Sequence, residues 1–111
     1  MGTPSAGEVV LVPFPFSDLS QSKLRPAVVL ASAGRNDFIL CQVTSNAYAD
    51  NSAIELAQGD FESGSLQRTS YARPGKLFTA HDSLVVKTAG VLRAEARSRV
   101  VERVIEVIRN G

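Results

Sequence analysis

Short runs of apolar residues, many of them β-branched or aromatic, alternate with polar stretches along most of the chain. Such runs, bounded by polar residues, glycine or proline, predict β-strands. Proline and glycine are expected to interrupt them: Pro13 and Pro15 end the first, Pro74-Gly75 separates two others, and Ala89-Gly90 ends the last. Residues 58–64 are predicted to form a loop. The predicted strands span residues 9–12, 27–31, 38–44, 53–56, 68–73, 77–80 and 84–86.

The pattern changes near residue 93, where apolar residues begin to recur three or four positions apart. This is the spacing of one helix face, and charged residues fill most other positions, so an amphipathic helix is predicted over residues 93–109. No Ser, Thr, Asp or Asn stands ahead of Arg93 to cap it. Many short strands followed by one helix predict a mainly β fold, a small and strongly bent antiparallel barrel with a C-terminal helix.

Length and composition narrow the class of protein. The 111 residues fit one domain, 1–111, of which residues 1–6 are expected to be a flexible terminus. The single cysteine, Cys41, lies in an apolar run and is expected to be a buried thiol in a reducing compartment. No signal-peptide pattern and no apolar run of about 18 residues is found, so a cytoplasmic protein without membrane contact is expected.

The inventory of side chains excludes several chemistries. One histidine, His81, cannot supply a two-histidine ribonuclease site, and together with one distant cysteine it cannot form a zinc site. The chain has no glycine-rich phosphate loop and no Gly-x-Ser-x-Gly motif. We therefore expect neither a metal nor a cofactor. His81 is predicted to be a surface turn residue whose side chain points away from that of Asp82.

The segment around Arg25 is the first candidate site. Pro26 has no N–H, so it belongs at the first residue of a strand or on an edge, and it forces Arg25 into an extended conformation. The sequence therefore predicts a guanidinium at the start of a rigid, buried strand, a placement suited to anion binding or phosphoryl chemistry. The alternative is an ordinary surface arginine at a strand start.

Thr44 and Ser45 form the second candidate site, at the end of the predicted strand 38–44. If this strand forms a hairpin with strand 27–31, Arg25 and Thr44 lie at the same end of it, away from the turn at residues 34–37. An arginine and a hydroxyl there can bind a phosphate and stabilise extra charge on it. The alternative is a strand end with ordinary turn hydrogen bonds.

A basic segment is the third feature. Residues 63–81 contain Arg68, Arg73 and Lys76 and no acid, and Tyr71 and Phe78 lie among them. With Lys23 and Arg25, these residues can form one basic face carrying aromatic rings, which suits single-stranded nucleic acid. The alternative is a solvated basic loop.

Six motifs in this order resemble the PemK/MazF-like toxins of bacterial toxin–antitoxin modules. The resemblance covers nearly the whole chain, from residue 7 to about residue 108. The motifs are GEVVLV at 7–12 with phenylalanines at 14 and 16, KLRPAVVL at 23–30, QVTS at 42–45, SYAR at 70–73, KLFT at 76–79 and GVL at 90–92.

The resemblance implies an SH3-like barrel, a homodimer, a cognate antitoxin and sequence-specific, metal-independent cleavage of single-stranded RNA. In this family the 2′-hydroxyl of the substrate attacks the neighbouring phosphate and leaves a cyclic phosphate. The matching catalytic residues here are Arg25 and Thr44. The residues expected to contact RNA are Lys23, Ser45, Arg68, Ser70, Arg73 and Lys76.

One position departs from the family pattern. Some members carry an acid, proposed to transfer a proton, two residues after the arginine that Arg73 matches, and this chain has Gly75 there. The general base is therefore unassigned, with Glu8 and Asp18 as candidates. A second function stays open, a non-catalytic module on the same barrel that binds RNA or an antitoxin-like partner.

Overall fold

The computed structural model describes residues 3–15, 22–46 and 50–111. It contains seven strands, two single 3₁₀ turns at Gln58–Asp60 and Asp82–Leu84, and one α-helix, α1, at Ala94–Asn110. The strands are β1 Glu8–Pro15, β2 Ser22–Gly34, β3 Asp37–Thr44, β4 Ile54–Leu56, β5 Phe61–Gly64, β6 Ser70–His81 and β7 Lys87–Leu92.

All seven strands belong to one antiparallel sheet with the order β4-β6-β3-β2-β1-β7-β5. The chain measures 31 × 31 × 30 Å along its principal axes, so the sheet is rolled up and not flat. It forms a nearly closed barrel with β4 and β5 at its two edges. The mainly β, SH3-like barrel with a C-terminal helix is therefore confirmed.

Each face of the sheet carries its own apolar cluster, because successive residues of a strand point to opposite faces. The helix-side core includes Val9, Val28 and Cys41 and is covered by Ala96 and Val100 of α1. The second core lies on the opposite face of the sheet. Along β1, β2 and β3, its residues alternate with those of the helix-side core. Its buried members are Val10, Val12, Ala27, Val29, Phe38, Leu40 and Ala80.

Strand β6 runs through Pro74-Gly75, so the predicted break between strands 68–73 and 77–80 is wrong. The ladder with β3 passes from Cys41–Leu77 to Val43–Ala72, so five steps along β6 match two along β3. The surplus residues form a bulge, and proline is tolerated in a bulge because no ladder hydrogen bond is needed there.

Four further predictions are corrected. The strand expected at 84–86 begins instead at Lys87, and β7 contains Ala89 and Gly90, which were expected to end it. The predicted loop 58–64 contains β5. The prolines of β1 do not end that strand, because β7 pairs only with Glu8 to Leu11 and leaves the later part of β1 with one neighbour, where a missing N–H is tolerated.

The helix agrees with its prediction within one residue at each end. Arg93 is its N-cap and makes no side-chain cap hydrogen bond, as the sequence indicated. Ala96, Val100 and Val104 are the buried residues of its apolar stripe. In the part of the chain that the structure describes, no helix combines the length and the apolar character that crossing a bilayer requires.

Cys41 is expected to resist thiol reagents in the folded protein. It is fully buried, and burial raises the pKa of its thiol from 9.0 to about 12, whereas the thiolate is the reactive form. A chromogenic thiol reagent at pH 8 should label it only as fast as the chain unfolds, and at once in denaturant. The folded state holds this proton more tightly than the unfolded chain, so stability should fall as the pH rises from about 9 towards 12. Labelling of the native protein within seconds would contradict the burial.

Candidate functional site

Arg25 lies inside β2, which begins three residues earlier at Ser22, so the prediction of a strand start is wrong. Arg25 nevertheless lies beyond the end of the β2–β3 ladder, because the pairing of β2 with β3 begins only at Ala27. Pro26 lies between Arg25 and the first paired residue. Arg25 faces Val12 of β1, is half-buried, and has its Nε atom shielded from solvent. The guanidinium is thus partly desolvated at one end of the hairpin.

Thr44 lies at the same end of this hairpin. Ala27 pairs with Gln42 in this antiparallel hairpin. Arg25 lies two residues before Ala27 and Thr44 two residues after Gln42, so both are at the same end and on the same face of the sheet. The Thr44 hydroxyl donates to the carbonyl of Asn46 and accepts from its N–H, both at 3.2 Å. These hydrogen bonds are those expected if Thr44 only closes a turn at the end of its strand. A phosphate bound by Thr44 would have to share the hydroxyl with them.

A row of polar side chains extends from Thr44 across two more strands. Thr44 pairs with Tyr71 of β6, and Tyr71 pairs with Glu55 of β4. The neighbours of Tyr71 and Glu55 along each strand are buried, so both project from the face opposite the helix-side core. Neither residue was a predicted site residue. The sequence shows Glu55 between two apolar residues and Tyr71 beside one. It does not show which strands pair with the strands that contain them.

Arg73 lies on the same face, two residues beyond Tyr71. Its Nε donates to Oδ2 of Asp50 at 2.9 Å, and the other oxygen, Oδ1, accepts the N–H of Ser52 at 2.9 Å. The hydrogen bond from Arg73 is the main cause that lowers the pKa of Asp50, and Lys76 adds a smaller contribution. Asp50 was not a predicted site residue, because nothing local in the sequence links it to an arginine on another strand.

The other predicted RNA contacts divide into exposed and buried residues. Ser70 is buried, and its hydroxyl donates to the carbonyl of Arg68 at 3.1 Å, so the structure does not bring it to the surface as expected. The exposed residues are Lys23, Ser45, Arg68 and Lys76.

An apolar cavity of about 320 Å³ adjoins this face. It contains the edge-to-face pair of Phe14 and Phe78, whose ring centroids lie 4.7 Å apart. Phe14 pairs with Lys23 across β1 and β2, two register positions from the pair of Val12 and Arg25 and on the same face of the sheet. The aromatic rings therefore lie beside the basic residues, as a base-stacking surface requires. The lining residues are Val12, Pro13, Phe14, Phe78, Thr79, Ala80 and Leu84.

Glu8 does not reach the end of the sheet at which Arg25 lies. Its two carboxylate oxygens accept the Thr88 hydroxyl at 2.9 Å and the Ser5 N–H at 2.8 Å. It is four residues along β1 from Val12, the partner of Arg25, which is about 13 Å at the rise of a strand. The structure thus contradicts Glu8 as a base, and Asp18 lies outside the described residues.

His81, which was predicted to be a surface turn residue, is the last residue of β6. The His81 side chain is exposed and contacts Asp82 at 3.1 Å, so these neighbours do not point apart; the short turn at Asp82–Leu84 folds one back on the other. Within residues 3–15, 22–46 and 50–111, no three His, Cys, Asp or Glu side chains are grouped so that they could hold a metal ion.

Several solved structures share this architecture. A chain in a MazE–MazF structure from Deinococcus radiodurans has a TM-score of 0.77 and 18% identity over 97% of this chain and 98% of its own. MazF alone from the same organism has a TM-score of 0.73 and 21% identity over 98% and 99%. A mycobacterial endoribonuclease in complex with its cognate antitoxin has a TM-score of 0.73 and 12% identity over 98% and 96%.

The barrel with its C-terminal helix is therefore the fold of these MazF structures. Residues 5–108 match the family described as the PemK-like, MazF-like toxin of type II toxin–antitoxin systems, and the chain belongs to this family. No match was found among curated protein sequences.

Proposed function

We propose that this protein is the toxin of a type II toxin–antitoxin module and acts as a sequence-specific endoribonuclease on single-stranded RNA. The observation that carries the proposal is the placement of Arg25 and Thr44 on one face of the sheet, at the same end of the β2–β3 hairpin. Membership of the PemK/MazF family supports it. The exposed basic residues and the adjoining aromatic pair supply what single-stranded RNA needs, which is phosphate neutralisation and base stacking.

The proposed reaction is a transesterification within the RNA strand. The 2′-hydroxyl oxygen attacks the adjacent phosphorus and the P–O5′ bond breaks, giving a 2′,3′-cyclic phosphate and a 5′-hydroxyl. One proton leaves the 2′-hydroxyl and one is taken up by the departing 5′-oxygen. Arg25 stabilises the charge that grows on the non-bridging oxygens, and Thr44 adds a neutral hydrogen bond. Gly75 has no side chain to move either proton.

We also propose a homodimer that binds an antitoxin in the cytoplasm, where messenger RNA is available. Two of the similar structures are complexes of a toxin with its antitoxin. An acidic antitoxin segment fits the same basic face electrostatically and would compete with RNA for it. Light scattering at micromolar concentration tests the dimer, and a monomer would contradict it.

A non-catalytic binding module is the second candidate function. The turn hydrogen bonds of Thr44 and the glycine at position 75 favour it. Incubation with a long single-stranded RNA in excess chelator separates the two functions. Fragments ending in cyclic phosphate, with no cleavage of the same sequence as DNA, are expected of the enzyme. Intact RNA that is nonetheless retained by the protein would support the binding module.

Binding of single-stranded nucleic acid is expected to weaken steeply with salt. Each phosphate that a basic side chain neutralises contributes roughly 0.7 to the slope of log affinity against log salt concentration, so four contacts give a slope of about −3. Fluorescence anisotropy with a labelled oligonucleotide measures it, and a slope near zero would remove the basic face from the proposal. The side chains expected to contribute are Lys23, Arg25, Arg68, Arg73 and Lys76.

A further inference from the structure

The ion pair between Asp50 and Arg73 leaves part of the arginine available. The carboxylate binds Nε at 2.9 Å, and Arg73 and Asp50 retain 31% and 16% of their side-chain exposure. A guanidinium has five N–H donors, of which four are on its two terminal nitrogens. An acid at Nε therefore fixes the plane of the group while the terminal nitrogens can still donate two parallel hydrogen bonds to a phosphate.

The backbone of Arg73 is fixed as well. Its carbonyl oxygen accepts a hydrogen bond from the thiol of Cys41 at 3.2 Å, in the fully buried part of β3. The next residue, Pro74, is fully buried within the β6 bulge. Asp50 is in turn held by a turn in which Ser52 donates to Oδ1. Both ends of the ion pair are thus anchored, as a preorganised binding group requires.

We propose that Asp50 is a positioning residue that holds the Arg73 guanidinium in the orientation needed to bind a phosphate of the RNA strand. This inference rests on the proposed function, because Arg73 lies on the same face as Tyr71 and Thr44. Asp50 does not itself meet the phosphate, since two negative groups repel. It acts through Arg73.

Asp50→Asn separates this role from a role in folding. The asparagine can keep its Oδ1 on the Ser52 N–H and so keep the turn. Its amide NH₂ then faces the Nε–H of Arg73, so two donors meet and the contact with Arg73 is lost. The substitution also removes one negative charge, and this change in net charge alone would strengthen RNA binding.

Asp60→Asn is the matched control. Asp60 has the same arrangement, with one oxygen accepting the N–H of Ala57 at 2.8 Å and the other accepting from Arg99 at 2.9 Å. The change in net charge is identical, but Arg99 belongs to α1, which covers the helix-side core and not the candidate RNA face.

The test measures kcat/KM for RNA cleavage and the affinity for a 2′-deoxy oligonucleotide, which cannot be cleaved. Asp50→Asn should lower both by on the order of tenfold, despite the loss of a negative charge, because removing a group that orients a metal ligand has an effect of this size and Asp50 orients Arg73 in the same way. Asp60→Asn should leave both unchanged or slightly raised. In an Arg73→Ala background, Asp50→Asn should cause no further loss.

The outcomes distinguish the two proposals. If the Asp50→Asn variant binds the oligonucleotide more tightly and cleaves RNA faster than the parent, Asp50 competes with the phosphate for Arg73 and the positioning role is wrong. A further loss in the Arg73→Ala background also overturns it. If the unsubstituted protein binds the oligonucleotide without cutting RNA, the enzyme proposal fails while the binding arm still decides the role of Asp50. If it does neither, both proposals fail.

Discussion

Arg25→Ala is expected to lower the rate of RNA cleavage by on the order of 10²–10³, the loss found when one donor to a developing oxyanion is removed. Negative charge accumulates on the phosphate oxygens as the 2′-hydroxyl attacks, so a fixed cation stabilises the transition state more than the bound substrate. The partial desolvation of Arg25 strengthens this effect, because its charge is less screened than that of an exposed side chain.

Two further substitutions at this site should also lower the rate of RNA cleavage, and Arg25→Lys should lower it more than Thr44→Val. Arg25→Lys should also cleave poorly, because an ammonium lacks the planar two-pronged fork of a guanidinium. Thr44→Val should cost less, because it removes one neutral hydroxyl, which the turn to Asn46 already shares. These residues lie at the end of the β2–β3 pairing and outside the apolar clusters, so none of the changes should unfold the barrel.

The measurement is the cleavage of one long RNA by each variant in excess chelator, with circular dichroism and thermal unfolding recorded on the same samples. Arg109→Ala removes the same charge from the exposed last turn of α1 and is the matched control. A folded Arg25→Ala variant that cuts as fast as Arg109→Ala would show that Arg25 is an ordinary strand residue.

The sequence predicts well those elements whose pattern is local. Helix α1 and strand β3 lie within one residue of their predicted ends, because helical periodicity and a continuous apolar run depend only on neighbouring residues. The hairpin of β2 and β3 is also local, and it is enough to place Arg25 and Thr44 at the same end of the sheet.

Residues whose role depends on a distant strand are not predictable in this way. Pro74 sits in a bulge defined by the pairing of β6 with β3, and Asp50 meets an arginine 23 positions away. Tyr71 and Glu55 join the polar row only because β6 lies between β3 and β4. A single sequence shows the alternation of such side chains but not the order of strands that brings them together.

Gly64→Ala is expected to lower the free energy of unfolding by about 2–5 kcal/mol. Gly64 has φ +65°, and the left-handed conformation costs an L-residue about 1–2 kcal/mol. A Cβ atom would also lie 2.3 Å from the carbonyl oxygen of Ala89 and 2.7 Å from the Cα of Gly90. These are backbone atoms of β7, the strand that pairs with β5, so relief requires the strands to separate, and such overpacking costs about 1–3 kcal/mol.

Two matched variants, compared with Gly64→Ala by chemical denaturation, separate the cost of the positive φ from the cost of the steric clash. Gly34→Ala imposes a positive φ of +92° with open space around the new Cβ, and Gly75→Ala imposes neither a positive φ nor a contact. Stability should fall least for Gly75→Ala, more for Gly34→Ala and most for Gly64→Ala. Equal losses for Gly34→Ala and Gly64→Ala would contradict the clash. Among the described residues β5 pairs with β7 alone and forms an edge of the sheet. Equal losses would therefore mean that β5 moves away from Ala89 without cost, so that this edge of the barrel is weakly packed.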